Sequence, residues 1–169
     1  MKILIPHDEI IEICKKVGQE ITNDFKGKNP VVVCVLKGGA MFHSELIKHI
    51  DTDIIVDYIQ VKSYAGQTST GEINFKKDLD TDIAGKDVII VDDLVDSGRT
   101  FLALNSILLG RGAKTIKFAS MLDKPYKRKV PFELDYTGKV IDDLFVIGFG
   151  MDLDEKYRNL KDICVYEEE

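Results

Sequence analysis

The sequence predicts an α/β protein in which a central, mostly parallel sheet is flanked by helices and topped by a small C-terminal hood. Three observations carry that expectation. The continuous apolar runs Val31–Leu36 and Val88–Val91 read as strands buried on both faces. Segments with apolar residues at helical spacing alternate with such runs, as βαβ units require. Polar clusters follow the runs directly, where open parallel sheets bind their ligands.

The first element is an amphipathic helix over about 8–25, with Ile10, Ile13, Cys14, Val17 and Ile21 on one face and a cap near His7 or Asp8. Pro30 precedes the strand Val31–Leu36, and Lys37-Gly38-Gly39 breaks it. Phe42, Leu46, Ile47 and Ile50 mark a second helix. Ile54–Val61 reads as a strand, and Lys62–Lys77, rich in polar and small residues, as a long loop. A strand over 88–92 runs into acid, and a helix follows over 99–110, with Gly110 and Gly112 at its stop. Ile116–Leu122 is another strand. Beyond about Lys124 the alternation ends, and Phe145–Ile147 and Ile163–Val165 suggest a small antiparallel or irregular cap. The expected organisation is one domain over 1–169, its hood formed mainly by about 124–169 with the N-terminal residues.

Bulk properties exclude several classes. A hydrophobic content of 44% and a charged content of 31% are those of an ordinary globular chain, able to bury a real core. No apolar run approaches the roughly 20 residues that span a bilayer, so no membrane partner is expected. The N-terminus lacks a long apolar region and a small-residue cleavage site, so a cytoplasmic location is expected. A net charge of −6 argues against broad nucleic-acid binding. Cys14, Cys34 and Cys164 form no CxxC pair and read as small buried hydrophobes.

The segment Val88 to Thr100 carries the chemistry. A buried strand meets Asp92-Asp93, then Asp96, then Ser97-Gly98-Arg99-Thr100 at the start of a helix. Backbone N–H groups at a helix start hold a phosphate dianion. Carboxylates beside them hold hydroxyls or a hard metal ion. A sugar phosphate suits both together. Lys37-Gly38-Gly39 follows another core strand, and its glycines let backbone approach an anion. Other readings fail on spacing. Gly66 to Gly71 has the spacing of a Walker loop but is followed by Glu72-Ile73. There is no HExxH, and Ser97 has no obvious His partner.

The segment from Asp92 to Thr100 resembles the phosphoribosyl-diphosphate-binding signature of type I phosphoribosyltransferases. The resemblance implies that Asp96, Ser97, Gly98, Arg99 and Thr100 wrap the 5′-phosphate. Asp92 and Asp93 would face the ribose diol and its Mg²⁺. Leu36-Lys37-Gly38-Gly39 is similar to the family's pyrophosphate loop, which implies a cis peptide between Leu36 and Lys37. Asp143 to Leu160 looks like the base-binding hood of the hypoxanthine-guanine phosphoribosyltransferases, the purine branch. By composition alone it is equally a core strand followed by a charged surface helix.

That second resemblance implies roles for individual residues. Phe145 would stack on the purine, Val146 meet its edge, Lys124 donate to its O6, Asp152 lie near base and metal, and Arg158 meet pyrophosphate. Asp96 is the expected proton donor or acceptor at purine N7. Ser63 and Tyr64, in Lys62-Ser63-Tyr64, match a lid that excludes water. The metal set implied is Asp92, Asp93 and Asp152. The expected reaction joins 5-phosphoribosyl-1-diphosphate to hypoxanthine or guanine in a homo-dimer or homo-tetramer. Xanthine or another nucleobase stays open as the substrate. So does a relative of another class, an RNA-binding pyrimidine regulator, through the basic run Lys124, Lys127, Arg128 and Lys129. The pair Asp92-Asp93 departs from the Glu-Asp more usual in the purine branch.

Overall fold

In the computed structural model, which describes residues 1–63 and 73–168, a short strand β1 (Lys2–Ile5) leads through Pro6 into α1 (His7–Phe25). Pro6 itself stands at the N-cap, not His7 or Asp8, and no side chain caps the helix. Asp8 and Glu9 in the first turn complement the positive helix end instead. Then follow β2 (Val31–Val35), α2 (Ala40–Ile47), β3 (Ile55–Ser63), β4 (Ile73–Lys77), β5 (Asp87–Val95), α3 (Arg99–Gly110) and β6 (Thr115–Asp123). A 3₁₀ turn (Pro125–Lys127), β7 (Tyr136–Val140), β8 (Val146–Ile147) and β9 (Ile163–Val165) complete the order.

Six strands form the main sheet in the order β4-β3-β2-β5-β6-β7. All pairs are parallel except the edge pair β3–β4. The apolar runs are continuous because both faces are covered. Val31, Val33, Val88 and Ile90 pack with Phe101, Leu104 and Leu108 of α3. Val32, Ile89 and Val91 pack with α1, α2 and the hood residues Val146, Phe149 and Ile163. Each Val or Ile so removed from water contributes roughly 1.5–3 kcal/mol. The hood is a second, antiparallel sheet, β1-β9-β8, which joins the two chain ends. All three cysteines are buried and unpaired. Among the described residues no helix is long and apolar enough to cross a membrane.

Two segments depart from the expectation. Residues 73–77, expected within a loop, form β4, with Ile73 and Phe75 half-buried between exposed neighbours. The period-two signal there is only two apolar residues long, because an edge strand buries one face and only partly. Tyr136–Val140, expected in the hood, is instead the sixth strand of the main sheet, parallel to β6. Its Thr-Gly-Lys centre hides the strand because only Tyr136 is fully covered.

The connection from β4 to β5 is clipped to β3 by Asp57. This buried carboxylate accepts N–H bonds from Tyr58 at 2.7 Å, Thr81 at 2.8 Å and Asp80 at 3.1 Å. Burial alone would raise its pKa, but the bonds from Thr81 and Tyr58 outweigh it and hold the carboxyl below its usual range. Asp57→Asn should therefore cost about 1.5–3 kcal/mol in denaturant titrations at pH 7. The folded pKa lies below the unfolded one, so the gap between wild type and variant should be full above the unfolded pKa of about 3.9. It should close as pH falls through the folded value; a gap that is constant down to acid unfolding rejects this account.

Candidate active site

β5 outlasts its neighbour. It pairs with β2 only as far as Val91, opposite Cys34, yet with β6 as far as Val95, opposite Asp123. Asp92 to Val95 therefore keep an edge open where β2 has stopped. The chain also reverses direction across the sheet between β2 and β5, the position at which ligands bind in such folds. A cleft of about 450 Å³ opens there, lined by Gly38, Asp92, Asp93, Asp96 and Ser97. Gly98, Thr100, Asp152 and Arg158 line the same cleft.

The loop after β5 is shaped by Gly98, at φ +81°. A Cβ there would lie 2.9 Å from Phe132 Cβ, so both the torsion and the space demand glycine. α3 begins with no side-chain cap beyond the 3.3 Å bond from Arg99 N–H to Ser97 Oγ. Its remaining first-turn N–H groups have no partner within the helix.

The paired carboxylates are braced by backbone. Asp92 Oδ1 accepts Asp93 N–H and Asp93 Oδ1 accepts Leu94 N–H, each at 2.8 Å. Burial, and next the charge of Asp93, push the Asp92 carboxyl well above its usual range. The same field reaches Cys34, whose thiol is pushed to about 12, first by burial and then by both aspartates. Asp93 lies against the loop after β2: a Cβ on Gly38 would come within 2.2 Å of Asp93 Oδ2. The Leu36–Lys37 peptide is cis, as the resemblance implied.

A carboxylate that the sequence did not single out joins the cations of the site. Glu155 Oε2 accepts from Lys37 Nζ at 2.8 Å and Glu155 Oε1 from Arg158 Nη2 at 2.9 Å. Lys37, and then Arg158, hold the Glu155 carboxyl below its usual range. Arg158 also donates to Gly150 O at 2.7 Å and pairs with Asp152 at 3.3 Å. Its buried Nε has no protein partner among the described residues. An unsatisfied donor at a cleft wall suits an incoming anion.

A second chamber of about 290 Å³ adjoins the first, sharing Asp93, Leu94, Asp96 and Asp152 with it. Lys124, Phe145 and Val146 also line it. Lys124 is buried, at 5% exposure, donates one bond to Leu144 O at 2.8 Å and pairs with Asp143 at 3.6 Å. An ammonium has three donors, so others remain for a ligand. Phe145 is 53% exposed, edge-on to Tyr166 at 6.1 Å, which leaves ring surface open for stacking.

The sequence-derived residues thus converge, with exceptions. The Arg99 side chain is exposed and lines neither chamber; at the first helical position its backbone serves the loop instead. Lys37 does not line the cleft either, because its ammonium is drawn to Glu155. Ser63 ends β3, and Tyr64 lies outside the described residues. The basic run is internally committed: Lys127 pairs with Asp143 at 2.7 Å and Arg128 with Asp123 at 2.8 Å. Asp143 to Leu160 contains no helix; β8 is followed by tight turns. Glu155 was missed because its partner Lys37 is far away in sequence, and Arg128, read only as part of a basic run, reaches back to the carbonyl of Asp96. Among the described residues no trio of His, Cys, Asp or Glu is placed to hold a metal by itself. The arrangement suits a phosphorylated sugar held between an anionic group and a flat ring with a carbonyl.

Known proteins agree with that chemistry. The model of the phosphoribosyl transferase domain matches residues 2–156. A hypoxanthine-guanine phosphoribosyltransferase of Streptococcus thermophilus is 48% identical, over 99% of this chain and 94% of its own. A solved hypoxanthine phosphoribosyltransferase of Staphylococcus aureus superposes with a TM-score of 0.94 at 41% identity, covering 99% of this chain and 93% of that one. A hypoxanthine-guanine phosphoribosyltransferase of Bacillus anthracis, solved with HEPES in its active site, gives 0.95 at 40% identity, covering 99% of both chains. Likeness of this extent, over the same residues that build the cleft, makes the chain a member of the phosphoribosyltransferase family, in its hypoxanthine-guanine branch.

Proposed function

We propose that the chain transfers the 5-phosphoribosyl group of 5-phosphoribosyl-1-diphosphate to N9 of hypoxanthine or guanine, releasing pyrophosphate and IMP or GMP. The observation that supports this most is the pair of adjoining chambers, one walled by the Ser97–Thr100 loop and the other by Lys124 and Phe145. A bound phosphate would take the N–H groups of residues 97–100. The diphosphate would exchange with Glu155 for Lys37 and Arg158. The base would stack on Phe145, with Val146 at its edge.

The donors present fit Mg²⁺. Asp92, Asp93 and Asp152 offer hard oxygens along one cleft, and a cation would relieve the repulsion between the adjacent carboxylates Asp92 and Asp93. Mg²⁺ is usually held by one or two carboxylates together with substrate phosphates, so an all-protein cage is not required. When bound, it would neutralise charge on the departing diphosphate. Asp96 lies in the wall of both chambers and would hold the proton of purine N7 as positive charge develops on the sugar. Lys124 would donate to O6, and an adenine amino group would set donor against donor.

In a turnover assay across the nucleobases, hypoxanthine and guanine should react, with Mg²⁺ required and EDTA abolishing product. Adenine should show kcat/KM about 10-fold to 100-fold lower; equal use of adenine rejects the role of Lys124. Asp96→Asn should lower kcat by about 10²–10⁴ while leaving IMP affinity near wild type. Undiminished turnover rejects the proton role. The half-exposed apolar residues Val56 and Tyr58, on one face of β3, and Met41 of α2 support assembly as a homo-dimer or homo-tetramer. Sedimentation should then give a multiple of 19.0 kDa, and a monomer at micromolar concentration would exclude it.

A further inference from the structure

We infer that Arg128 is a positioning residue that turns the amides of the phosphate loop toward the cleft. The inference rests on reading Ser97–Thr100 as the phosphate cradle. Three consecutive carbonyls at the end of β5 are tied to one short segment. Val95 O accepts from Lys124 N–H at 3.0 Å, Asp96 O from Arg128 Nη1 at 3.0 Å, and Ser97 O from Lys129 N–H at 2.9 Å.

The consequence follows from peptide geometry. A trans peptide is planar, and its C=O and the next N–H point in opposite directions. Every described peptide here is trans except Leu36–Lys37. Drawing the carbonyls of residues 95, 96 and 97 toward the 124–129 segment therefore drives the N–H groups of Asp96, Ser97 and Gly98 the other way. None of those three N–H groups has a protein acceptor among the described residues. Successive amides facing one concavity form an anion nest.

Of the three ties, two come from backbone and only the central one from a side chain. Arg128 is fully committed to it. Its Nε donates to Phe132 O at 2.9 Å and its Nη2 to Asp123 Oδ1 at 2.8 Å. Its guanidinium lies 5.6 Å from the centroid of the Phe132 ring, the same residue that forbids a Cβ at Gly98. With side-chain exposures of 14% and 8%, the Arg128–Asp123 pair is withdrawn from water. Arg128 thus does not touch the substrate; it acts through the loop. Lysine cannot replace it, because a single ammonium lacks the planar fork that reaches three acceptors.

The test uses Arg128→Lys, which keeps a cation beside Asp123, and Arg128→Met, with calorimetric titration of ribose 5-phosphate as the probe. Both variants should bind ribose 5-phosphate at least about tenfold more weakly than wild type, the loss of one charged hydrogen bond. The KM for phosphoribosyl diphosphate should rise in parallel, while the KM for hypoxanthine stays within about threefold. Arg128→Met leaves Asp123 buried without a cation; if it does not fold, Arg128→Lys decides alone. Wild-type affinity for ribose 5-phosphate in Arg128→Lys overturns the inference, and so does an equal loss toward sugar phosphate and base. If wild type binds ribose 5-phosphate but turns over no base, the enzymatic reading fails and the calorimetry still decides the role of Arg128. If wild type does not bind it, the cradle itself is wrong and the inference falls with it.

Discussion

The difference in length between two adjacent strands shapes everything in the site. β2 stops at Val35, and β5 continues to Val95 along β6 alone. Extended backbone holds Asp92 and Asp93 in place, yet one edge is left without a paired strand, and the cleft opens beside it. Had β2 continued, ladder hydrogen bonds would have closed that edge. The apolar residues beneath, Val88 to Val91, anchor the overhang by packing on both helical layers. Core and site are therefore one strand: its first half is held by burial, its second exposes polar groups where water and ligand reach them.

A chain of net charge −6 is suited to a polyanion only if its local field differs from its global one. It does so by division of labour. Backbone amides, which carry no net charge, serve the loop after β5. The formal cations Lys37, Lys124 and Arg158 are few and each is held by a carbonyl or carboxylate. The surplus acid at Asp92 and Asp93 sits between them, where it would repel a bare diphosphate and attract one that arrives with a divalent cation.

How much of this was legible beforehand depended on sequence distance. The run Val88 to Thr100 encodes strand, acids, turn and helix start within a single stretch, so its geometry could be read locally. Lys124 and Phe145 became meaningful only through family resemblance, since nothing near them specifies a pocket. Glu155 stayed invisible, and Arg128 was read only as part of a basic run, because their significance is a contact: Glu155 with Lys37, Arg128 with the carbonyl of Asp96. β4 and β7 were missed for a related reason. Each lies on an outer part of the sheet, buries few side chains and so leaves little periodic trace.

The bond between Glu155 and its two cations has a further consequence for the proposed substrate. Arg158 is held by it and also by Gly150 O and Asp152, so an incoming diphosphate would not have to freeze that long side chain. It must, however, evict a resident carboxylate. The site thus resembles an ion exchanger loaded with its own counter-ion. Weak, singly charged anions would gain little from such a swap, whereas a ligand with several clustered charges would outcompete the occupant, and the cleft would then filter solutes by charge density before any base is recognised.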